Sequence, residues 1–321
     1  NEYLQSGFLT NEERSSFPEL LKDELSGGSG SKLALLNWAA KHVLRPTDLI
    51  LTDHLNYSPI LLASIFARKK VVTLHAYEME LPISSLRLKA LKRMDAYICV
   101  SEYSKRLGLA LGLDEEKMHV CYHGLDIELG AVRKDACQVP TILFVGRLDR
   151  HYKGHDHLIE ASAIMKNQGV NFKMVFAGGG QRLEDFRDKI AIMGLQSYVD
   201  FRGFVSDEEL KTLYATADVF ALPSSGEGFG LVYLEAMAHS LPCLAVNAGA
   251  APEVVLDQET GVCVEYGDVD AIAKALQKLI EDTELRVKLG KNGRLRYEQH
   301  FTVSAFEERL SNLFNEIRIR S

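Results

Sequence analysis

The feature that most constrains the fold of this chain is the regular alternation of short apolar runs with amphipathic stretches of helical period. Such alternation favours βα units built around parallel sheets. In the 321-residue sequence we predict strands at 48–53, 70–75, 96–101, 118–123, 141–146, 172–178, 199–204, 219–224, 242–246 and 261–265. Helical patterns lie between them, including 32–43, 57–67, 84–94 and 102–112 in the first half. The sequence therefore predicts an α/β fold in which both halves repeat one architecture.

Residues 123–140 lack a clear period, so we place a domain boundary there. The predicted units are a first domain at 1–130, a second domain at 131–300 and a terminal helix at 301–321. Apolar residues of helical spacing run from Phe306 onward, and Ser304 with Glu307 has the spacing of a capping box. We therefore expect a long final helix that begins near Ser304.

Composition excludes several classes of protein. A net charge of −7 argues against binding along a nucleic-acid backbone, which needs a basic face. No apolar run reaches the length of a membrane span, residues 1–25 lack a secretory pattern, and the five cysteines form no Cys-x-x-Cys motif. These features indicate a soluble protein of a reducing cytoplasm. The exception to the charge pattern is a basic cluster, either a solvated helix face or a surface for anionic lipid or a phosphorylated acceptor: Arg87, Lys89, Lys92 and Arg93.

The strongest chemical signal is the glycine-rich stretch at 224–238, which follows an apolar run and leads into a helix. Glycines at 226, 228 and 230 allow close approach of an anion, and the first N–H groups of the helix favour phosphate. Glu227 and Glu235 would lie about 12 Å apart if the span were helical, and could bind hydroxyls at two ends of a ligand. A nucleotide sugar has that layout, whereas a simple turn with a charge on the helix dipole remains the alternative.

A second loop carries two cations. The stretch TILFVGRLDRHYKG, residues 141–154, ends a predicted strand and supplies Arg147 and Lys153. Fixed cations of this kind are suited to neutralising a diphosphate, although most arginines and lysines are ordinary surface residues.

Taken together, these segments resemble the retaining nucleotide-sugar glycosyltransferases of family 4 (group 1), which have the two-domain GT-B fold. The similar pieces include FVGRLDRHYKGHDHLIEA, MVFAGGG, SGEGFGLVYLEAMA, AGAAPEVV and GVCVEYGDVDAIAKAL, in family order across roughly residues 118–321. The resemblance implies an acceptor-side first domain, a donor-binding second domain and a final helix that crosses back to the first domain.

The resemblance also implies roles for individual residues. Arg147 and Lys153 would hold the donor diphosphate, Glu227 would contact the donor sugar, and Glu235 the ribose. In VTLHAYE, His75 would face the donor sugar and the acceptor, so the implied catalytic group is His75, Glu227, Arg147 and Lys153. The loop backbone would meet phosphate and sugar at Gly228, Phe229, Gly230, Leu231 and Val232, and the nucleobase would lie near Gly203 and Val205.

Acceptor contacts are expected in the first domain, from His54, Asn56 and Glu78. Either His54 or His75 could instead be a loop histidine bonded to backbone. The family usually begins with a strand and a glycine-rich loop, and residues 1–47 show no clear version of them. Either this chain lacks its beginning or some internal residues, or the protein dispenses with that loop, which preserves donor binding but puts catalytic competence in question.

The expected reaction moves a hexose-type sugar to a hydroxyl acceptor in bacterial glycan assembly, with UDP-sugar favoured over GDP-sugar as donor. No metal is expected, because Asp268 is better placed as a helix N-cap than as half of a metal-binding Asp-x-Asp, and His155 and His157 would point to different sides of a helix. Two other functions remain open: a non-catalytic sugar-nucleotide-binding subunit and a sugar-nucleotide epimerase.

Overall fold

Two parallel sheets, one from each half of the chain, form the framework of the protein. The computed structural model describes residues 49–52, 69–80, 82–127 and 139–319. The first sheet has the order β1-β2-β3-β4, with every neighbouring pair parallel. Its strands are β1 at Leu49–Thr52, β2 at Lys69–Leu74, β3 at Ala96–Cys99 and β4 at Met118–Val120. All four strands predicted for the first half are confirmed.

Short helices connect the strands of the first sheet. They are α1 at Ala76–Glu80, α2 at Ser85–Leu91 and α3 at Glu102–Ala110, followed by a 3-10 turn at Glu115–Lys117. The Ser101 hydroxyl accepts a hydrogen bond from Ser104 N–H at 3.0 Å, which fixes the start of α3. The helices predicted at 32–43 and 57–67 lie outside the described residues, as do His54, Asn56 and the boundary placed at residue 130.

The second sheet has six parallel strands in the order β10-β9-β8-β5-β6-β7. They are β5 at Thr141–Val145, β6 at Lys173–Ala177, β7 at Val199–Gly203, β8 at Val219–Ala221, β9 at Cys243–Val246 and β10 at Gly261–Val264. Each coincides with a predicted strand to within a few residues. Apolar residues of this sheet and its helices form the largest core of the protein.

Helices separate the strands of the second sheet. They are α4 at His155–Asn167, α5 at Leu183–Ile192, α6 at Asp207–Thr216, α7 at Leu231–Ala238, α8 at Ala251–Val254 and α9 at Val269–Glu281, with a 3-10 turn at His151–Lys153. The predicted cap of α9 is confirmed, because the Asp268 carboxylate accepts a hydrogen bond from Ala271 N–H at 2.9 Å. No helix in the described ranges is both long enough and apolar enough to span a bilayer.

The order of the second sheet creates a topological switch point. From β5 the chain builds outward through β6 and β7, then returns to the other side of β5 to place β8, β9 and β10. In open parallel sheets, ligands bind where the loops after such neighbouring strands diverge. The loops that follow β5 and β8 are therefore the ones that the fold places at a ligand crevice.

Two helices complete the chain and connect the domains. Helix α10, Thr283–His300, packs on the second domain, whereas α11, Val303–Ile319, lies on the first sheet. The expected return of the final helix to the first domain is thus confirmed. Just before that helix, the Phe301 carbonyl accepts a hydrogen bond from Leu125 N–H at 2.9 Å. The helix begins within one residue of the predicted start, but Ser304 as its cap is wrong, since the Thr302 hydroxyl accepts the capping bond from Ala305 N–H and Ser304 lies inside the helix. Thr302 precedes the first helical residue, which is the position a cap requires.

Candidate functional site

The loop between β8 and α7 ends in a helix N-terminus that no side chain caps. Gly230 occupies the cap position with a φ of 89°, a left-handed conformation that glycine adopts without strain. A Cβ at Gly230 would also lie only 2.6 Å from the Tyr233 ring. Because the first N–H groups of a helix have no acceptor within it, α7 presents donors and a positive dipole end to whatever lies at the loop.

The loop after β5 packs directly on the loop after β8. Gly154, with a φ of 77°, approaches so closely that a Cβ would lie 2.3 Å from the Pro223 carbonyl oxygen. Ser225 N–H donates to the Tyr152 carbonyl at 2.9 Å beside this contact. Glycine at 154 is therefore required, and the short 3-10 turn before it delivers Lys153 to the glycine-rich loop.

Lys153 and Glu227 form the ion pair at the centre of this junction. The Lys153 Nζ lies 2.6 Å from Glu227 Oε1, and the two side chains are 17% and 10% exposed. The Tyr152 ring also lies near the ammonium, 5.6 Å from ring centroid to Nζ. The structure thus brings together two of the residues selected from sequence, in a largely buried pair.

Arg147 is positioned differently from Lys153. Its side chain is 66% exposed and binds the Asp149 carboxylate, with Nε 3.2 Å from Oδ1. The hydrogen bond from Arg147 lowers the pKa of Asp149 below its usual range. Arg147 therefore projects from the same loop as Lys153, with a carboxylate already beside it.

A buried histidine supports the loop that carries Arg147. His155 Nε2 lies 2.9 Å from the Arg147 carbonyl oxygen, so its N–H donates there. The ring packs between Phe144 and Phe186, and burial lowers its pKa to about 4. His157 instead contacts the Tyr266 ring at 4.9 Å, so the two histidines have separate environments. In the described part of the chain, no group of three His, Cys, Asp or Glu side chains could hold a metal ion.

Glu235 lies away from the Lys153–Glu227 pair, in the second turn of α7. Its Oε2 accepts a hydrogen bond from the Tyr214 hydroxyl of α6 at 2.6 Å. Burial raises the pKa of Glu235, and the hydrogen bond from Tyr214 opposes that shift. Glu227 and Glu235 therefore have different protein partners, and their roles at two ends of a ligand stay a prediction.

Gly203 is the last residue of β7 and Val205 lies in the loop that follows, beside the glycine turn at 178–180. Gly178 N–H donates to the Gly203 carbonyl at 2.7 Å, and Leu148 N–H donates to the Gly179 carbonyl at 2.9 Å. These bonds join the loops after β5, β6 and β7 in series. Sequence reasoning did not single out Phe204. Its side chain is 87% exposed, and its ring lies so close to Gly179 that a Cβ added to Gly179 would be 2.2 Å from the ring. Its position between Gly203 and Val205 was the only available signal.

The first domain reaches the glycine-rich loop through the segment that begins with His75. The His75 ring stacks on His123 at 5.9 Å between centroids, and His123 meets Phe229 edge-on at 5.6 Å. Gly228 touches Ala76, where an added Cβ would lie 3.3 Å from the Ala76 methyl. His75 is thus adjacent to the loop, while Glu78 is buried at 3% exposure.

Other contacts between the domains were not anticipated from sequence. The Ser101 hydroxyl donates to the Gly228 carbonyl at 2.8 Å, and the Arg150 guanidinium lies 5.3 Å from the Tyr77 ring centroid. Glu253 of α8 binds the N-terminus of α3. Arg150, Tyr77 and Glu253 lie within motifs quoted above, but the motifs do not indicate these contacts, because the partners come from the other half of the chain.

Two known protein families match the chain in sequence, one in each half. Residues 134–296 match glycosyl transferases group 1, and residues 10–129 match Glycosyltransferase Family 4. The chain is 32% identical over 250 residues to the GDP-mannose-dependent alpha-(1-6)-phosphatidylinositol monomannoside mannosyltransferase of Mycolicibacterium smegmatis, covering 71% of this chain and 65% of that one. It is 34% identical over 176 residues to the capsular polysaccharide biosynthesis glycosyltransferase CapM of Staphylococcus aureus, covering 54% and 46%. The chain spans 42% to 65% of the length of the mycobacterial mannosyltransferases that it matches.

Solved structures resemble the whole architecture. Anabaena HepE in complex with UDP superposes with a TM-score of 0.77 at 23% identity, covering 89% of this chain and 82% of that one. Sucrose-phosphate synthase of Thermosynechococcus elongatus gives a TM-score of 0.74 at 24% identity, covering 90% and 77%. Two parallel-sheet domains and a helix that returns to the first of them constitute the GT-B fold, and the group 1 match covers more than half of the sequence. The chain therefore belongs to the group 1 glycosyl transferases.

Proposed function

We propose that the protein is a glycosyltransferase that moves a hexose-type sugar from a nucleoside diphosphate sugar to a hydroxyl acceptor and retains the anomeric configuration. The observation that carries the proposal is the meeting of Lys153, Glu227 and the N-terminus of α7 at the switch point of the second sheet. A cation, a hydroxyl-binding carboxylate and free helix N–H groups match the sugar and diphosphate of such a donor. Family membership supports the same reaction class.

The proposed chemistry relies on charge neutralisation and positioning. Arg147 and Lys153 stabilise the leaving diphosphate, together with backbone N–H groups of the loop from Gly228 to Val232. The bond from the anomeric carbon to the diphosphate breaks, and the acceptor oxygen attacks the same face while the diphosphate takes its proton. Glu227 acts by binding the donor sugar, since Lys153 occupies one of its oxygens. His75 faces the reacting sugar, so the catalytic group is His75, Glu227, Arg147 and Lys153.

Residues around the loop contact the remaining parts of the donor, which are the ribose and the base, and the acceptor. Glu235 binds the ribose, and Gly203 and Val205 lie beside the base. His54 and Asn56 contact a glycan, lipid-linked or small acceptor, whereas Glu78, at 3% exposure, is too buried to make the acceptor contact expected of it. Sequence favoured a UDP-sugar, whereas the similar mannosyltransferases are named for GDP-mannose. The relative named for capsular polysaccharide biosynthesis supports a place in bacterial glycan assembly. No step in this scheme requires a metal.

Turnover of candidate donors tests the function. The chain is incubated with UDP-glucose, UDP-galactose, UDP-N-acetylglucosamine or GDP-mannose and a panel of hydroxyl acceptors, and products are analysed by mass spectrometry and NMR. We expect transfer from one donor with the anomeric configuration of the donor retained. An inverted product contradicts retention, isomerised donor without transfer indicates an epimerase, and saturable binding without any turnover indicates a non-catalytic subunit.

Removing either cation of the loop after β5 should lower turnover. We expect Arg147→Ala or Lys153→Ala to reduce kcat/KM about tenfold or more, because each loses a charged contact to the diphosphate. Arg187→Ala and Lys291→Ala are matched controls, since both side chains lie on exposed helix surfaces remote from the loop. Steady-state kinetics with the active donor gives the ratio, and wild-type values for both loop variants would refute the diphosphate site.

Removing the carboxylate of Glu235 should weaken donor binding. Glu235→Ala is expected to raise the donor Kd about tenfold through loss of a hydrogen bond to a ribose hydroxyl. Tyr214→Phe is the matched control, because it removes the protein's own hydrogen bond to Glu235 and leaves the carboxylate in place. Calorimetric titration measures both, and an equal loss of affinity in the two variants would assign the effect to packing of α7.

The proposal also includes action in the cytoplasm, at the inner face of the membrane. On and beside α2, the side chains of Arg87, Lys89, Lys92 and Arg93 are exposed, and Leu86 of the same helix is 63% exposed. Cations around an exposed leucine suit the surface of a bilayer that contains anionic lipid.

Neutralising this basic cluster should release the protein from membranes. We expect the wild type to sediment with vesicles that contain phosphatidylglycerol, and the fourfold glutamine variant of Arg87, Lys89, Lys92 and Arg93 to stay in the supernatant. Each cation contributes about 1 kcal/mol near such a surface, so the effect should exceed a hundredfold in partition. Neutral phosphatidylcholine vesicles are the control, and equal sedimentation of both proteins would show that the cluster is only a solvated face.

A further inference from the structure

A single carboxylate of the second domain holds the N-terminus of a helix in the first domain. Glu253 lies on α8, and its Oε2 accepts a hydrogen bond from Glu102 N–H at 2.7 Å. Its Oε1 accepts a second bond from Tyr103 N–H, also at 2.7 Å. Both oxygens are therefore used on the first turn of α3, which belongs to the other sheet.

The contact completes the capping of α3. Its first N–H groups have no acceptor within the helix, and the Ser101 hydroxyl accepts the bond from Ser104 N–H, not from Glu102 or Tyr103. A carboxylate at this end also interacts favourably with the helix dipole. Because a residue of the opposite domain supplies it, Glu102 and Tyr103 gain these acceptors only when the two domains are together.

Glu253 is rigidly attached to its own domain. The Arg296 side chain donates to the backbone carbonyls of Glu253 and Val254 at 2.8 and 3.0 Å, which ties α8 to α10. The negative charge of Glu253 also contributes to raising the pKa of Tyr122 to about 12, after the larger effect of burial. The backbone of Glu253 is thus fixed at the domain junction by a contact that α3 does not supply.

The same junction is linked to the candidate site by two further hydrogen bonds. Ala250 N–H, just before α8, donates to the Glu227 carbonyl at 2.9 Å. The Ser101 hydroxyl, just before α3, donates to the Gly228 carbonyl at 2.8 Å. The two helix starts therefore enclose the loop of Glu227 and Gly228 from opposite domains.

We propose that Glu253 is a positioning residue that sets the closed register of the two domains, so that the segment after His75 lies against the loop of Glu227 and Gly228. It acts through α3 and touches neither substrate. Its kinetic consequence rests on the proposed glycosyltransferase function, whereas the contact itself does not. Loss of the carboxylate should lower the population of the closed arrangement without changing the donor-binding residues.

Glu253→Gln tests the proposal in the full chain. A glutamine offers one carbonyl oxygen, and its amide N–H₂ group faces a backbone donor, so one hydrogen bond and the charge are lost. We expect hydrogen exchange of the Glu102 and Tyr103 backbone amides, measured by NMR, to become about tenfold faster or more. For transfer we expect kcat to fall about tenfold while the donor Kd changes less than about threefold, because the donor residues lie on the second domain.

Two variants make the result interpretable. Glu298→Gln is the matched control, because that carboxylate binds Arg294 on its own helix, and it should leave exchange and kcat unchanged. Glu253→Asp keeps the charge but shortens the side chain, so it should fall between wild type and Glu253→Gln in both measurements. If the Glu253→Gln protein does not fold, Glu253→Asp is measured in its place.

Unchanged exchange at Glu102 and Tyr103 would overturn the proposed contact in solution. Faster exchange with unchanged kcat would overturn the positioning role and leave Glu253 as a structural cap. An equal loss in donor affinity and kcat would also overturn it, because the effect would then lie in the donor site. A wild type without transfer activity overturns the proposed function instead, and the exchange measurement still decides the contact.

Discussion

The arrangement of the candidate site depends on one constraint, the adjacency of β5 and β8 in the second sheet. Since the two strands are parallel neighbours, their following loops leave the sheet at the same edge. The backbone contact between Gly154 and Pro223 then holds the loops together, and Lys153 meets Glu227 across them. A pair of residues 74 positions apart is thereby fixed by sheet order and by one glycine with positive φ.

Much of this framework could be predicted from sequence because it follows from local patterns. Apolar runs identified every strand that the structure describes, and Asp268 was identified as a cap from its place before an amphipathic helix. The same reasoning failed at α11, where Ser304 with Glu307 imitates a capping box but Thr302 makes the bond. Spacing alone does not determine which of two neighbouring hydroxyl residues has the extended backbone that capping needs.

The partners of the site residues could not be read from sequence in the same way. Arg147 binds Asp149, Glu235 binds Tyr214, and Glu253 binds α3, and these contacts need the tertiary arrangement. The ring stack from His75 through His123 to Phe229 likewise joins segments from both domains. Motifs selected the candidate residues, whereas the environment of each residue depends on long-range packing that local patterns do not encode.

Two helices have their N-termini at the domain junction, and they differ in which groups lie at those N-termini. Helix α3 is capped by its own Ser101 and by Glu253 from the opposite domain, so its first N–H groups are occupied by protein. Helix α7 begins at Leu231, with Gly230 at the cap position and no side-chain cap, on the loop where Lys153 pairs with Glu227. The dipole that makes a carboxylate favourable at α3 acts equally at α7. Because the chain supplies an anion to the first helix and a cation beside the second, the second is the one suited to a phosphate from outside.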